Sequence, residues 1–216
     1  MNTQRRPFSP REVAFLIGVP LLWGILLLFH PGGEGKEIYL DARENVTALL
    51  VVHIGMMLFI PLIAGVVYLL LRGVEGKAAQ VSRIALVPFV ISYSAWETLQ
   101  GIGNGILVDQ VNALPEAERA TGAALVQSFA ENSLSRDAGV FCSIGSIGFI
   151  TAAIAAGIAL RRAGAALSVT ILLGLAGVLI TAHPPPFGPT GLALFIAAVL
   201  LIVRGRSAGR TAPGHT

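Results

Sequence analysis

Glu97 is the one acidic residue of this chain set deep within an apolar run, Ile84 to Val108, and chemistry is to be sought there first. On a helix, Tyr93, Glu97, Gly101 and Gly105 lie four apart and share one stripe, with Gln100 and Asn104 beside it. A carboxyl group is costly in lipid, so it must face protein or a water-filled cavity. Held that way, Glu97 can bind a cation, store a proton or grip a polar head group. Tyr93, Gln100 and Asn104 supply hydrogen-bonding side chains on the same side, and Trp96 supplies a ring for stacking. A structural reading stands beside this one: a protonated Glu bonded to Gln or Ser also joins helices, and Trp96 also suits a core or lipid-facing position.

His53 is the one histidine inside an apolar run. It lies about 10 Å from one end of its segment, and Glu97 about 16 Å from the matching end of its own, at 1.5 Å per residue. The two are close enough in height to meet, and a His–Glu contact can store or relay a proton. The alternative is a buried His bonded to a backbone carbonyl. His30 and His183 map to the same half of the molecule, where Glu44 or Asp109 could join them around a metal. No HxxxH or HxxE spacing supports such a site, and each His belongs to a different segment. The sequence is therefore read with Glu97, His53, Tyr93, Gln100, Asn104 and Trp96 as a ligand site, and with no metal or other cofactor.

The elements that position these residues are membrane spans. Of 216 residues 54% are hydrophobic and only 12% charged, about half the charged share of a soluble domain. Apolar runs occur at about 13–29, 46–71, 84–108, 138–160, 165–182 and 190–203; a crossing helix needs about 20 residues. The expected fold is an all-α bundle of six transmembrane helices forming one domain over 1–216. Pro20, Pro61 and Pro88 fall inside the first three spans and predict kinks there. The two three-span halves share no motif, which gives an inverted repeat no support.

Charge sets the orientation. Eleven Lys and Arg flank one side of the spans (Arg5, Arg6, Arg11, Arg72, Lys77, Arg83, Arg161, Arg162, Arg204, Arg206, Arg210), against Lys36, Arg43, Arg119 and Arg136 on the other. The positive-inside rule then places both termini in the cytoplasm. In the long outer loop, Leu114-Pro115-Glu116 reads as a helix start, and Gly122, Leu125, Val126 and Phe129 fall on one apolar face. An amphipathic helix across the outer mouth is expected, either resting on the bundle or acting as a lid.

The net charge of +3 does not point to nucleic acid, because the basic residues sit beside span ends. Cys142 is the lone cysteine and cannot form an intramolecular disulfide. No P-loop, paired-Cys, G-x-S-x-G or HExxH pattern is present. Leu114-Pro-Glu-Ala-Glu-Arg119, Arg161-Arg162 and His183-Pro-Pro-Pro-Phe-Gly-Pro189 give the chain a further character. It resembles small multi-span membrane proteins of high-GC actinobacteria, a likeness that implies a bacterial plasma membrane and transfers no activity.

The expected function is transport or binding of a small cation, proton or polar ligand in an outer-facing pocket centred on Glu97. Two other classes compete. One is an accessory subunit whose small-residue faces bind another membrane protein or a second copy. The other is an embedded enzyme acting on a lipid or isoprenoid with Glu97 as general acid, which lacks a second buried acid as base.

Overall fold

The computed structural model describes residues 6–31 and 37–208. Arg5, Glu34, Lys36, Arg210 and His215 lie outside the described residues. The described chain is helical, with no strand. Its elements are α1 (Pro10–Leu27), α2 (Ile38–Ala42), α3 (Val46–Leu70), α4 (Lys77–Asn112), α5 (Glu116–Ala130), α6 (Val140–Arg162), α7 (Leu167–Thr181) and α8 (Phe187–Ala208).

Among the described residues five helices, α1, α3, α4, α6 and α8, are long and apolar enough to cross a membrane. The fold is consistent with a helical membrane bundle. All six expected segments are helical, but α7 has only 15 residues, or about 22 Å against a hydrocarbon core of about 30 Å. Leu22, Ile54, Leu58, Ile91 and Ile147 point outward with 57–66% of their surface exposed. Such a belt is unfavourable in water and natural in lipid.

Several boundaries differ from expectation for physical reasons. The helix of the sixth segment begins at Phe187 rather than 190, because the carbonyls of Pro184 and Pro186 accept from Phe187 and Thr190. Proline in a first turn lacks only a donor that would be unpaired anyway. α4 begins at Lys77 and runs for 36 residues, carrying Lys77 and Arg83 on its first turns. The short α2 lies in the stretch between the first two expected spans. α5 matches the expected amphipathic helix, but Gly122, Val126 and Ala130 form its buried face and Leu125 is 68% exposed.

The helices close into a ring. α1 packs on α3 and on α8, α8 on α7, α7 on α6, α6 on α4, and α4 returns to α3. Glycines allow the closest approaches: a Cβ on Gly145 would stand 2.7 Å from the Tyr93 backbone nitrogen, and one on Gly148 2.9 Å from that of Phe89. At one end, the arginine-rich end, Arg72 pairs with Glu12, which also caps α1 by accepting from the Ser9 backbone at 2.7 Å. Arg206 donates to the Leu70 carbonyl at 2.8 Å and lies over the Phe8 ring.

The opposite, capped end carries α2 and α5. Tyr39, Ala42, Val46, Leu49, Val108, Val111 and Val126 form a small apolar cluster there. It is separate from the main core, which is built around residues such as Trp23, Met56, Ile60, Phe89, Phe149 and Phe195.

Candidate functional site

α4 is not a uniform helix. Two π turns, Phe89–Tyr93 and Thr98–Gly103, flank the single α turn Ser94–Glu97. The first begins immediately after Pro88, whose missing N–H already interrupts the ladder. The second contains Gly101 and Gly103. A π turn takes up one more residue than an α turn. Residues four apart drift by about 40° per step on a pure α-helix, and the π turns offset that drift. Glu97, Gly101, Asn104 and Gly105 are all turned inward.

Glu97 is 1% exposed and faces protein, as a carboxyl at that depth must. His53 Nε2 lies 3.5 Å from its Oε2, and His183 Nδ1 lies 3.6 Å from its Oε1. Oε1 has no hydrogen-bond partner in the protein. His183 also approaches His30, Nε2 to Nε2 at 3.1 Å. The ring centroids of His30, His53 and His183 stand 4.8–5.8 Å apart. One potential ligand atom from each of the three imidazoles falls within 4.8 Å of the others, the one such gathering of metal-ligand residue types among the described residues.

Each imidazole is oriented from behind. His53 Nδ1 meets the Leu49 carbonyl at 2.8 Å, and His30 Nδ1 meets the Pro31 carbonyl at 2.9 Å. A carbonyl only accepts, so both rings carry their proton on Nδ1 and turn the Nε2 lone pair toward the cluster. The Tyr93 hydroxyl donates to the Thr181 carbonyl at 3.1 Å, which leaves its oxygen to face His183 Nδ1 at 3.4 Å. Behind His53 there is no side chain at all: a Cβ on Gly101 would overlap the imidazole. Trp96 packs edge-on against His183, centroids 5.3 Å apart, and against Tyr93.

Burial holds His30 below the ordinary imidazole value. His183 is driven further down by burial, with the charges of His30 and His53 adding to the effect. Both connecting-segment imidazoles are therefore neutral near pH 7 and available as lone-pair donors.

Of the six residues expected to form the site, the structure gathers Glu97, His53, Tyr93 and Trp96 around one point. Gln100 and Asn104 lie on the turns toward the capped end. Asn104 Nδ2 donates to Gln100 Oε1 at 2.9 Å, and Gln100 Nε2 donates to the Ala130 carbonyl of α5 at 2.7 Å. They fasten α5 to the π turn rather than touching Glu97. The expected open pocket is instead a closed polar cluster, with only His30 half-exposed. A cleft of about 460 Å³ is lined by Leu26 and Phe29 of the first segment, by Glu44, and by Thr47, Ala48, Val51 and Val52 of α3, with none of the cluster residues in its wall.

His30 and His183 are the residues that the expected set omits. Their one sequence signal is that both, like His53, fall toward the same end of their segments. Comparison with protein-family models, with curated proteins and with solved structures finds no match.

Proposed function

We propose that this chain is a six-span bacterial plasma-membrane protein that binds a small cation at Glu97 from the non-cytoplasmic side, without passing it across. The observation that carries the reading is the Glu97 carboxyl itself. It is 1% exposed, with two imidazole nitrogens at 3.5 and 3.6 Å and one oxygen lacking a hydrogen-bond partner. An anionic oxygen enclosed in this way needs a positive charge, a proton or a cation, to remain inside the bundle.

Charge distribution supports the direction. Among the described residues, the capped end carries eight acids (Glu37, Asp41, Glu44, Asp109, Glu116, Glu118, Glu131, Asp137) and three arginines. That field concentrates cations at the mouth. The arginine-rich end carries nine Lys and Arg, which orients it toward the cytoplasm. α7 completes the sixth crossing with local thinning of the bilayer, a modest cost for its length.

The floor of the site supports binding over passage. Toward the arginine-rich end lie Trp23, Met56, Ile60, Phe89 and Phe195, each 0–1% exposed. These side chains offer no stepping stone of ligand oxygens to a moving ion.

The test is a melting assay on detergent-purified protein with a panel of chloride salts of Na⁺, K⁺, Mg²⁺, Ca²⁺, Mn²⁺ and Zn²⁺, read by tryptophan fluorescence. At least one cation should raise Tm in the wild type and not in Glu97→Gln. A panel without effect, or equal shifts in both proteins, overturns the reading. Flux of the bound cation into protein-loaded vesicles, lost in Glu97→Gln, would overturn its one-sidedness.

A further inference from the structure

We propose that His30, His53 and His183 hold one divalent transition-metal ion of the Zn²⁺ type, with the Glu97 carboxyl beside His53 and His183 to balance its charge. The inference rests on the cation-site reading above and specifies its occupant.

The lone pairs carry the argument. His30 and His53 give their Nδ1 protons to the Pro31 and Leu49 carbonyls. With the Tyr93 hydroxyl proton on the Thr181 carbonyl, the shorter of its two contacts at 3.1 Å against 3.4 Å, His183 Nδ1 meets the Tyr93 oxygen as the donor. All three Nε2 atoms are then unprotonated and turned inward, and those of His30 and His183 face each other at 3.1 Å. Two lone pairs at that distance repel unless an electrophile lies between them. Ligating histidines are characteristically held in this way, with the far nitrogen donating to a carbonyl or other acceptor.

Spacing agrees. Four ligands at about 2.0–2.1 Å from a tetrahedral ion lie about 3.3–3.4 Å from one another. The observed His30–His183 separation of 3.1 Å lies near that value. The remaining histidine pairs, within 4.8 Å, need to contract by about 1.5 Å at most. His30 and His183 lie in the connecting segments after α1 and α7 and are the ligands able to move toward His53, which is fixed within α3.

Ligand type selects the ion. Three imidazole nitrogens suit Zn²⁺, Cu²⁺, Ni²⁺ or Fe²⁺. Ca²⁺ requires six to eight oxygens and Mg²⁺ a regular octahedron of them, and the cluster offers two carboxylate oxygens and one engaged hydroxyl. A single carboxylate against a dication leaves one net positive charge, which the acidic surface at the capped end moderates.

The experiment uses full-length protein in detergent, stripped with a chelator and titrated with Co²⁺. Expected are one equivalent bound, the visible absorption of four-coordinate Co²⁺, and its loss when Zn²⁺ is added. His30→Asn, His53→Asn and His183→Asn should each weaken binding at least tenfold, and Glu75→Gln, at the far end, should leave it unchanged. X-ray absorption of the Zn²⁺-loaded wild type needs no variant and should show three imidazoles on the metal.

Absence of stoichiometric Co²⁺, an all-oxygen shell, or undiminished affinity in the triple His variant overturns the metal site. If a Glu97-dependent response to another cation persists, the broader reading survives that failure. Full Co²⁺ affinity in Glu97→Gln, with loss in the His variants, keeps the imidazole site and sinks the Glu97-centred reading instead.

Discussion

The His53 imidazole lies directly against the backbone of Gly101, in the space that a side chain at that position would fill. The π turn from Thr98 to Gly103 presents this bare surface, and His53 is thereby aimed at Glu97. Gly101→Ala should push the ring away, lower Tm by the equivalent of about 1–3 kcal/mol, and weaken Co²⁺ binding at least tenfold. Gly105→Ala is the control, because its Cβ meets the flexible ends of Leu50 and Leu49. If the two variants bind Co²⁺ alike, Gly101 does not position His53.

The same reasoning ranks the other glycines. Gly145 abuts the backbone of Tyr93, whereas a Cβ on Gly18 meets nothing within 4 Å. Gly145→Ala should cost about 1–3 kcal/mol by separating α4 from α6. Gly18→Ala should be neutral or stabilise by up to about 1 kcal/mol through helix propensity. Thermal melts of the two variants in one detergent check the order, and a reversal would contradict the packing described.

Stability of the metal-stripped protein should fall as pH is lowered from 7 toward 5. His30 and His183 are held below the ordinary imidazole value in the folded state. The unfolded chain therefore binds more protons through that interval, and the stability of the fold rises with pH there. The loss begins near the unfolded value of about 6.5 and continues down to the folded ones. A His183→Asn variant should show a shallower fall in Tm; an equal slope would mean that His183 is not buried as a neutral base.

Orientation is open to a labelling test. In a Cys142→Ser background, Glu116→Cys on α5 should react with a membrane-impermeant maleimide added to intact cells. Ser207→Cys near the end of α8 should react only after lysis. The opposite pattern would invert the topology and put the site on the cytoplasmic side.

Much of the bundle is legible in the sequence, because a span is a local property: about 20 apolar residues between charges. The matched heights of His53 and Glu97 are legible for the same reason, since helical rise converts residue number into depth. The π turns leave only indirect marks, Pro88 before one and Gly101 and Gly103 within the other. α2 escapes because it has five residues and no side-chain cap. The convergence of His30 and His183 on the pair is not legible at all. It follows from closure of the ring, which seats α1 beside α8 and joins residues 153 positions apart. Gln100 and Asn104 mislead for a related reason: sharing a stripe with Glu97 does not decide which neighbour each side chain meets.

The division of the apolar interior into two clusters, with the small one confined to the capped end, bears on how anything reaches a carboxyl that is 1% exposed. α2 and α5 rest on the ends of α3 and α4 through this small cluster, and elements held by so small a contact can detach together while the main core stays intact. Amide deuteration should therefore proceed together across α2 and α5, well ahead of the middle turns of α3 and α6. If they do, access to Glu97 would run through that recurrent local opening, with no permanent channel required.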